Sequence, residues 1–452
     1  MRLTPEQIQD AVGRDSVGTP PPHPLSVSTD SRTLNKGELF VALDGPNHKG
    51  VDYTAAALQK GAAGVLLPLG TPAPENVWTL RVPDTLAAYG RLGAASRKAW
   101  GGPVIAVTGS LGKSTVKELT AAALGTPSTV ASAKASYNNE VGLPHTLLSV
   151  EEKDEFLVAE MGAGKPGDID YLRKLAHPNT ALYTPLCVSH GEHLGGIEGV
   201  IEEKSSLSRC WKKNQTVVLS TTHTHHRVLD ARSGQARRIR CGVHGDIWAS
   251  HVQYDELLCP QFIAHTKEGS HSVKLRLPGT FQVENALLAL GAALSYGIPL
   301  GEAAQRLTGV TPLPHRKEVH HLPQEGLLLD DGYNAGLTST RDSILWAQSI
   351  AKNRPLALIL GDMLELGAGA AGTHIALGRM AARQGFKRLW SVGPLAALAS
   401  QETGLPGGSF SHVDDLVQTL KEWSGDGWVV LVKGSRANHL DRAVNALLGA
   451  AA

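Results

Sequence analysis

Short apolar runs recur along most of the chain and alternate with stretches in which apolar residues return at helical spacing. Within residues 1–99, the runs at 38–43, 64–67 and 77–82 predict strands set among alanine-rich helices. A stiff Pro20-Pro21-Pro22 spacer precedes them. Farther on, the runs at 103–108, 156–160, 180–184 and 216–220 predict parallel strands joined by crossover helices in a buried sheet. Between 240 and 277 the rhythm becomes strict alternation, as in Ser272-Val273-Lys274-Leu275-Arg276-Leu277, which predicts antiparallel strands. The closing segment alternates strand and helix again, and 327–331, 355–360, 388–392 and 428–432 predict a small doubly wound sheet. Breaks at Gly101-Gly102-Pro103 and Pro312-Leu313-Pro314 divide the chain into three expected domains, 1–99, 100–313 and 314–452. The expected class is α/β: an N-terminal α/β domain, a central domain with a parallel sheet plus a small antiparallel one, and a C-terminal Rossmann-like domain.

Composition narrows the function only a little. At 452 residues the chain exceeds what one core supports, and 42% hydrophobic with 19% charged residues is ordinary for a globular protein. A formal charge of +1 argues against nucleic acid or an anionic membrane as the main partner. No apolar run approaches membrane-spanning length, and Met1-Arg2-Leu3-Thr4-Pro5-Glu6 is not a signal peptide. Cys187, Cys210, Cys241 and Cys259 lie far apart with no Cys-x-x-Cys, as expected of reduced thiols in a cytosol. A cytoplasmic monomer is the expectation.

The stretch from Val104 to Glu118 carries the strongest chemistry. A β-branched run ends in Gly109-Ser110-Leu111-Gly112, and helical periodicity begins after Lys113-Ser114-Thr115. Glycines let the backbone approach anionic oxygens, successive amides point inward as a nest, and the helix N-terminus adds favourable field. Lys113 would neutralise the terminal phosphates of a nucleotide, and the Ser114 hydroxyl would serve Mg²⁺. Only two residues separate the glycines, where the common phosphate loop has four. A tight turn before a helix is the alternative, which the preceding strand disfavours.

Other candidates are ambiguous when read alone. Glu160 closes a strand, where it is either an acidic ligand of a nucleotide-bound cation or a solvated loop carboxylate. His190 follows the third parallel run and is a ligand or an ordinary surface or core histidine. Lys204, in Ile201-Glu202-Glu203-Lys204, has the pattern of an exposed helical charge. Thr222-His223-Thr224-His225-His226 lacks the paired cysteines or His-Glu-x-x-His of a zinc site and is expected to be a polar loop. Arg316 and Asp331 are structural, or they face a nucleotide if the last domain closes over the middle one. Val432-Lys433-Gly434-Ser435-Arg436 is a strand–glycine–helix junction that suits either an anion or a plain turn.

Together, and in this order, these residues resemble the Mur ligases, the ATP-dependent amide ligases of peptidoglycan precursor synthesis. Ser28-Thr29-Asp30-Ser31-Arg32 with Leu39-Phe40-Val41-Ala42 resembles the family's UDP-sugar signature, which makes 1–99 a UDP-binding domain. The short phosphate loop is the family's own, and 100–313 becomes its ATPase-like domain. Asn138-Asn139-Glu140-Val141-Gly142 resembles the branch that joins D-Ala-D-Ala to a UDP-MurNAc-tripeptide. The resemblance implies that residues 109–115 hold ATP, with Asn285, Arg316 and Asp331 also on the nucleotide. It places Ser31, Arg32, Phe40, Asn138 and Asn139 on the sugar-peptide substrate. Catalysis would rest on Lys113, Glu160, His190 and Lys204. Two Mg²⁺ sites follow, one from Ser114 and Glu160, the other from His190 and Lys204 carrying CO₂ as a carbamate.

The chain also departs from the pattern. Phe281-Gln282 stands where the family has His-Asn, Gly336-Leu337 replaces Asn-Pro, and Gly332 and Ser136 replace Ser and Asn. Ser220-Thr221-Thr222-His223 replaces Asn-Ala-Asp-Asp, and Lys49 and Val51 replace acidic and histidine residues. None of these removes a proposed phosphate or metal group. A diamino-acid-adding sister ligase would carry Asp-Asn-Pro-Arg, which is absent. A folylpolyglutamate synthase would lack the first-domain block, and a non-ligase ATPase would leave that block unexplained.

Overall fold

The computed structural model describes residues 1–133, 136–188, 194–364, 366–423 and 425–449. Two compact units form, one of Met1–Thr184, Glu202–Cys241 and Leu288–Pro299, the other of Pro185–Ile201, Gly242–Leu287 and Leu300–Ala452.

The first unit holds two sheets. β1 (Ser16–Val17), β2 (Val27–Ser28), β3 (Leu39–Val41), β4 (Gly64–Pro68) and β5 (Trp78–Val82) run in the order β1-β5-β4-β3-β2, parallel except at the β1–β5 edge. Alternate residues serve opposite cores: Leu39, Val41 and Leu66 pack with Tyr89 and Leu92, while Phe40, Val65 and Leu67 pack with Ala57. Burial on both faces explains why these strands read as continuous apolar runs rather than alternating ones.

The second sheet is wholly parallel. β6 (Val104–Thr108), β7 (Val130–Ser132), β8 (Phe156–Glu160), β9 (Thr180–Tyr183), β10 (Thr216–Ser220) and β11 (Arg237–Cys241) take the order β11-β10-β9-β6-β8-β7. Central β6 pairs Val107 with Glu160 and Thr108 with Tyr183, so the loop after β6 and the end of β8 share the carboxyl edge of the sheet. Ligands of such sheets bind at that edge. The apolar pattern gave no sign of β7 or β11. β11 reads Arg-Arg-Ile-Arg-Cys because it is an edge strand, and two of its arginines, Arg238 and Arg240, bind the carboxylate of Asp230 at 2.9 and 2.8 Å.

In the second unit, β12 (Trp248–Tyr254), β13 (Pro260–His265) and β14 (Ser270–Lys274) form the expected antiparallel sheet, although β14 stops at Lys274 rather than continuing to Leu277. β15 (Glu318–Leu322), β16 (Gly326–Asp330), β17 (Leu356–Gly361), β18 (Phe386–Val392), β19 (Gly407–Phe410) and β20 (Val429–Lys433) run in the order β15-β16-β20-β17-β18-β19. All pairs are parallel except β15–β16. Leu358 and Leu360 pack with Ile344, Leu377 and Ala399 of three helices, while Ala357 and Ile359 pack with Leu416 and Val444 of two others. Helices on both faces make this sheet doubly wound. Among the described residues, no helix is long and apolar enough to cross a membrane.

Candidate active site

The loop after β6 is shaped by its two glycines. Gly109 has φ +148°, and a Cβ there would lie 2.0 Å from Thr184 Oγ1, so only glycine fits this turn. Gly112, at φ +76°, precedes the helix Lys113–Leu124, which has no side-chain cap at its start. Helix starts of this kind offer their first amides to an anion. Lys113 Nζ folds back to donate to the Ser110 carbonyl at 3.2 Å. Thr108 Oγ1 donates to the Met161 carbonyl at 2.8 Å, which ties the loop's root to the end of β8. Thr184, to which the sequence assigned no role, turns a buried hydroxyl toward Gly109, and that hydroxyl has no hydrogen-bond partner among the described residues.

Glu160 lies beside this loop and is buried, not solvated. Its Oε2 accepts from Ser114 Oγ at 2.6 Å and its Oε1 accepts from Asn138 Nδ2 at 2.7 Å. Asn138 is itself fixed because its carbonyl accepts from the Gly162 amide at 2.8 Å. Asn139 does a different job: its Oδ1 accepts from the Gly142 amide at 2.9 Å and starts the helix Gly142–Ser149.

Lys204 corrects the reading of an exposed helical charge, since only 4% of it is exposed. The cause lies one residue earlier. Glu203 accepts from the Gly167 and Ile169 amides, both at 2.7 Å, at the start of the helix Asp168–Ala176. That anchor turns this face of the helix Gly196–Ser205 inward, while Glu202 stays outside and pairs with Arg209 and Arg232. Burial, reinforced by the positive charge of Lys113, pulls the Lys204 ammonium down to about 7, against the opposing pull of Glu203, Asp168 and Glu160. A buried amine that sheds its proton near neutrality is a nucleophile. His190 lies outside the described residues.

The remaining candidates fall into separate groups. Ser31 is buried, Arg32 is exposed and pairs with Asp30 at 2.8 Å, and Phe40 is a core residue in a strand paired on both sides. In the second unit, Asn285 Nδ2 donates to Gln282 Oε1 at 2.9 Å, so the residue that departs from the family pattern orients the expected adenine contact. Phe281 is 38% exposed, and the Lys317 ammonium lies 4.9 Å from its ring centre. The Arg316 guanidinium stacks 3.9 Å over the Tyr333 ring, with Arg436 at 5.3 Å. Asp331 accepts from Ser343 Oγ at 2.6 Å and pairs with buried Lys433 at 3.1 Å. Lys433 and Tyr333 had no assigned role in the sequence, although both stand in recognisable glycine-punctuated segments.

Comparison with known proteins agrees with this geometry. Residues 107–293 match the model of the Mur ligase middle domain. The chain is 31% identical to the UDP-N-acetylmuramoyl-tripeptide–D-alanyl-D-alanine ligase of Bacillus subtilis (strain 168), covering 93% of each chain. It is 32% identical to the enzyme of the same name from Escherichia coli (strain K12), again covering 93% of each. A crystal structure of MurF from Acinetobacter baumannii superposes with a TM-score of 0.88 at 26% identity over 99% of both chains. With a short phosphate loop, a buried Ser114–Glu160 pair beside it and relatives matched over nearly their whole length, this chain belongs to the Mur ligase family, in the branch of the UDP-N-acetylmuramoyl-tripeptide–D-alanyl-D-alanine ligases.

Proposed function

We propose that this chain uses ATP to join D-alanyl-D-alanine to UDP-MurNAc-tripeptide, giving UDP-MurNAc-pentapeptide, ADP and phosphate in peptidoglycan synthesis. The observation that carries this is the buried Asn138–Glu160–Ser114 chain beside an uncapped helix start, with Lys113 and Lys204 nearby. The boundaries 1–99, 100–313 and 314–452 divide the work into UDP-sugar binding, ATP use, and contacts to the dipeptide and nucleotide. The enzyme works in the cytoplasm as a monomer.

In the first step an oxygen of the tripeptide carboxylate attacks the γ-phosphorus of ATP and ADP leaves, forming an acyl phosphate. The dipeptide amine then attacks the acyl carbon, loses a proton, and phosphate departs. The groups that meet are anionic, so catalysis consists largely of neutralising charge and holding the groups in line. Lys113 and the amides of residues 109–115 hold the phosphates. Ser114 and Glu160 are hard oxygen donors in a buried pocket and fit Mg²⁺, which supplies charge neutralisation at the phosphates. His190 and Lys204 make the second site. There the Lys204 ammonium would first shed its proton, and the neutral amine would add to CO₂ with release of a second proton, leaving an anionic carbamate where a cation would repel the metal. Asn285, Arg316 and Asp331 serve the nucleotide, while Ser31, Arg32, Phe40 and Asn139 serve the sugar-peptide.

The test is ADP release by the purified chain with bicarbonate present. Release that requires both UDP-MurNAc-tripeptide and D-Ala-D-Ala, and is abolished in Lys113→Ala, supports the proposal. Release with a free diamino acid as the second substrate, or with neither substrate, overturns it.

A further inference from the structure

The edge of the last sheet carries three side chains that the ligase reaction leaves unused. Glu318 and Asp330 are direct partners across the antiparallel β15–β16 pair, so their carboxylates share one face. Like charges set opposite each other in this way repel. Asp330 is only 1% exposed, and burial raises its pKa despite the bond from His315.

His315 stands between the two carboxylates. Its Nδ1 is 2.6 Å from Asp330 Oδ2, and its backbone N–H donates to Glu318 Oε2 at 2.7 Å. The backbone of His315 is left-handed, with φ +60°, an uncommon state for a side-chain-bearing residue that fixes where the ring can go. Gly332 N–H donates to Asp330 Oδ1 at 3.1 Å, which leaves Oδ2 to the imidazole side. One nitrogen and two carboxylate oxygens, one atom from each residue, lie within 4.8 Å of one another. The His315 side chain is 37% exposed, so the group opens to solvent on one side.

One imidazole and two carboxylates, with a side left open to water, are the donors that transition ions such as Zn²⁺ and Mn²⁺ take. Mg²⁺ prefers oxygen alone. We propose that His315, Glu318 and Asp330 form a binding site for a divalent transition-metal ion, made of none of the residues assigned above to nucleotide or sugar-peptide. The ion takes the place of the hydrogen between Nδ1 and Oδ2, and the neutral imidazole then carries its proton on Nε2. Two of the ligands, His315 and Asp330, immediately precede Arg316 and Asp331 in sequence, so the ion braces the backbone from which both project. Only this last consequence rests on the ligase assignment.

The test uses the full chain, stripped with a chelator and kept in millimolar Mg²⁺ to occupy oxygen-only sites, then titrated with Co²⁺ and with Zn²⁺. A stoichiometric Co²⁺ absorption band that Zn²⁺ displaces, together with a rise in Tm on adding Zn²⁺, is expected in the wild type and in Glu160→Gln. His315→Gly relieves the left-handed backbone, which offsets part of the cost of leaving the buried Asp330 carboxylate without its imidazole partner, and far-UV circular dichroism of the metal-free variant checks that it folds. Disturbing groups that merely support a metal ligand costs about 10–100-fold, so loss of the imidazole itself should weaken Co²⁺ by more than about 100-fold. No stoichiometric binding means a His–Asp hydrogen bond only and overturns the proposal. So does a band that survives His315→Gly, which belongs to other histidines, or one lost in Glu160→Gln. None of these readouts consumes ATP, so they fail or succeed independently of the ligase assignment.

Discussion

Ser114 Oγ and Glu160 Oε2 meet at 2.6 Å although the residues are 46 positions apart in the chain. The contact exists because β6 and β8 are neighbours in register, which brings the first turn of one helix against the last residue of another strand. Both partners are buried, so each depends on the other for satisfaction. Ser114→Ala should therefore cost roughly 1–3 kcal/mol of stability by leaving a buried carboxylate short of a donor. It should also raise the Mg²⁺ concentration needed for half-maximal ADP release by at least about tenfold. Urea unfolding and Mg²⁺ titration measure the two effects. Because the residues act as a unit, the activity losses of Ser114→Ala and Glu160→Gln should fall well short of additive in the double variant.

Lys204 offers a second prediction. Turnover in CO₂-depleted buffer should fall and recover on adding bicarbonate, and Lys204→Ala should be inactive at any bicarbonate concentration. A ¹³C carbamate resonance after labelling with ¹³C-bicarbonate, absent from the variant, is the direct measurement. Full activity in Lys204→Ala would remove the carbamate from the mechanism.

Gly109 tests the loop's geometry. An alanine there must hold φ near +148° and place its Cβ against Thr184 Oγ1. Gly109→Ala should lose at least about 2 kcal/mol, among the larger effects of a single substitution, with ADP binding reduced alongside. Thermal unfolding with and without nucleotide reports both. Thr184→Ser keeps the hydroxyl, whereas Thr184→Val removes it, and only the latter should weaken nucleotide binding.

Asp230 tests the edge strand that the apolar pattern missed. Its burial alone would raise its pKa, yet the guanidinium groups of Arg240 and Arg238 more than offset this and hold it below the ordinary aspartate value. A depressed folded pKa contributes stability above the unfolded pKa and loses it as pH falls through the folded one. Asp230→Asn should thus be less stable than wild type at neutral pH by about 1–2 kcal/mol, with the gap closing as the carboxylate protonates in acid. Urea midpoints taken across the acid range measure it, and a gap that stays constant with pH would rule out this electrostatic origin.

Local order carries some of this protein plainly in the amino acids. The apolar runs of β6, β8 and β10, the glycines of the phosphate loop and the alternation of the 240–277 segment reflect interactions among residues a few positions apart, where period and turn chemistry suffice. The burial of Lys204 could not be read that way, because it depends on Glu203 reaching the start of another helix. Nor could the placement of β20 between β16 and β17, or of Glu318 opposite Asp330, since pairing across a sheet is chosen by the packing of whole faces. Edge strands such as β11 and β15 hide for the same reason: they carry polar residues at partly exposed positions, and the β11 arginines Arg238 and Arg240 find their partner, Asp230, on a helix. Periodicity is set by neighbours along the backbone, whereas burial, and the chemistry it confers on a lysine or a carboxylate, is set by whatever distant segment the folded chain brings against it.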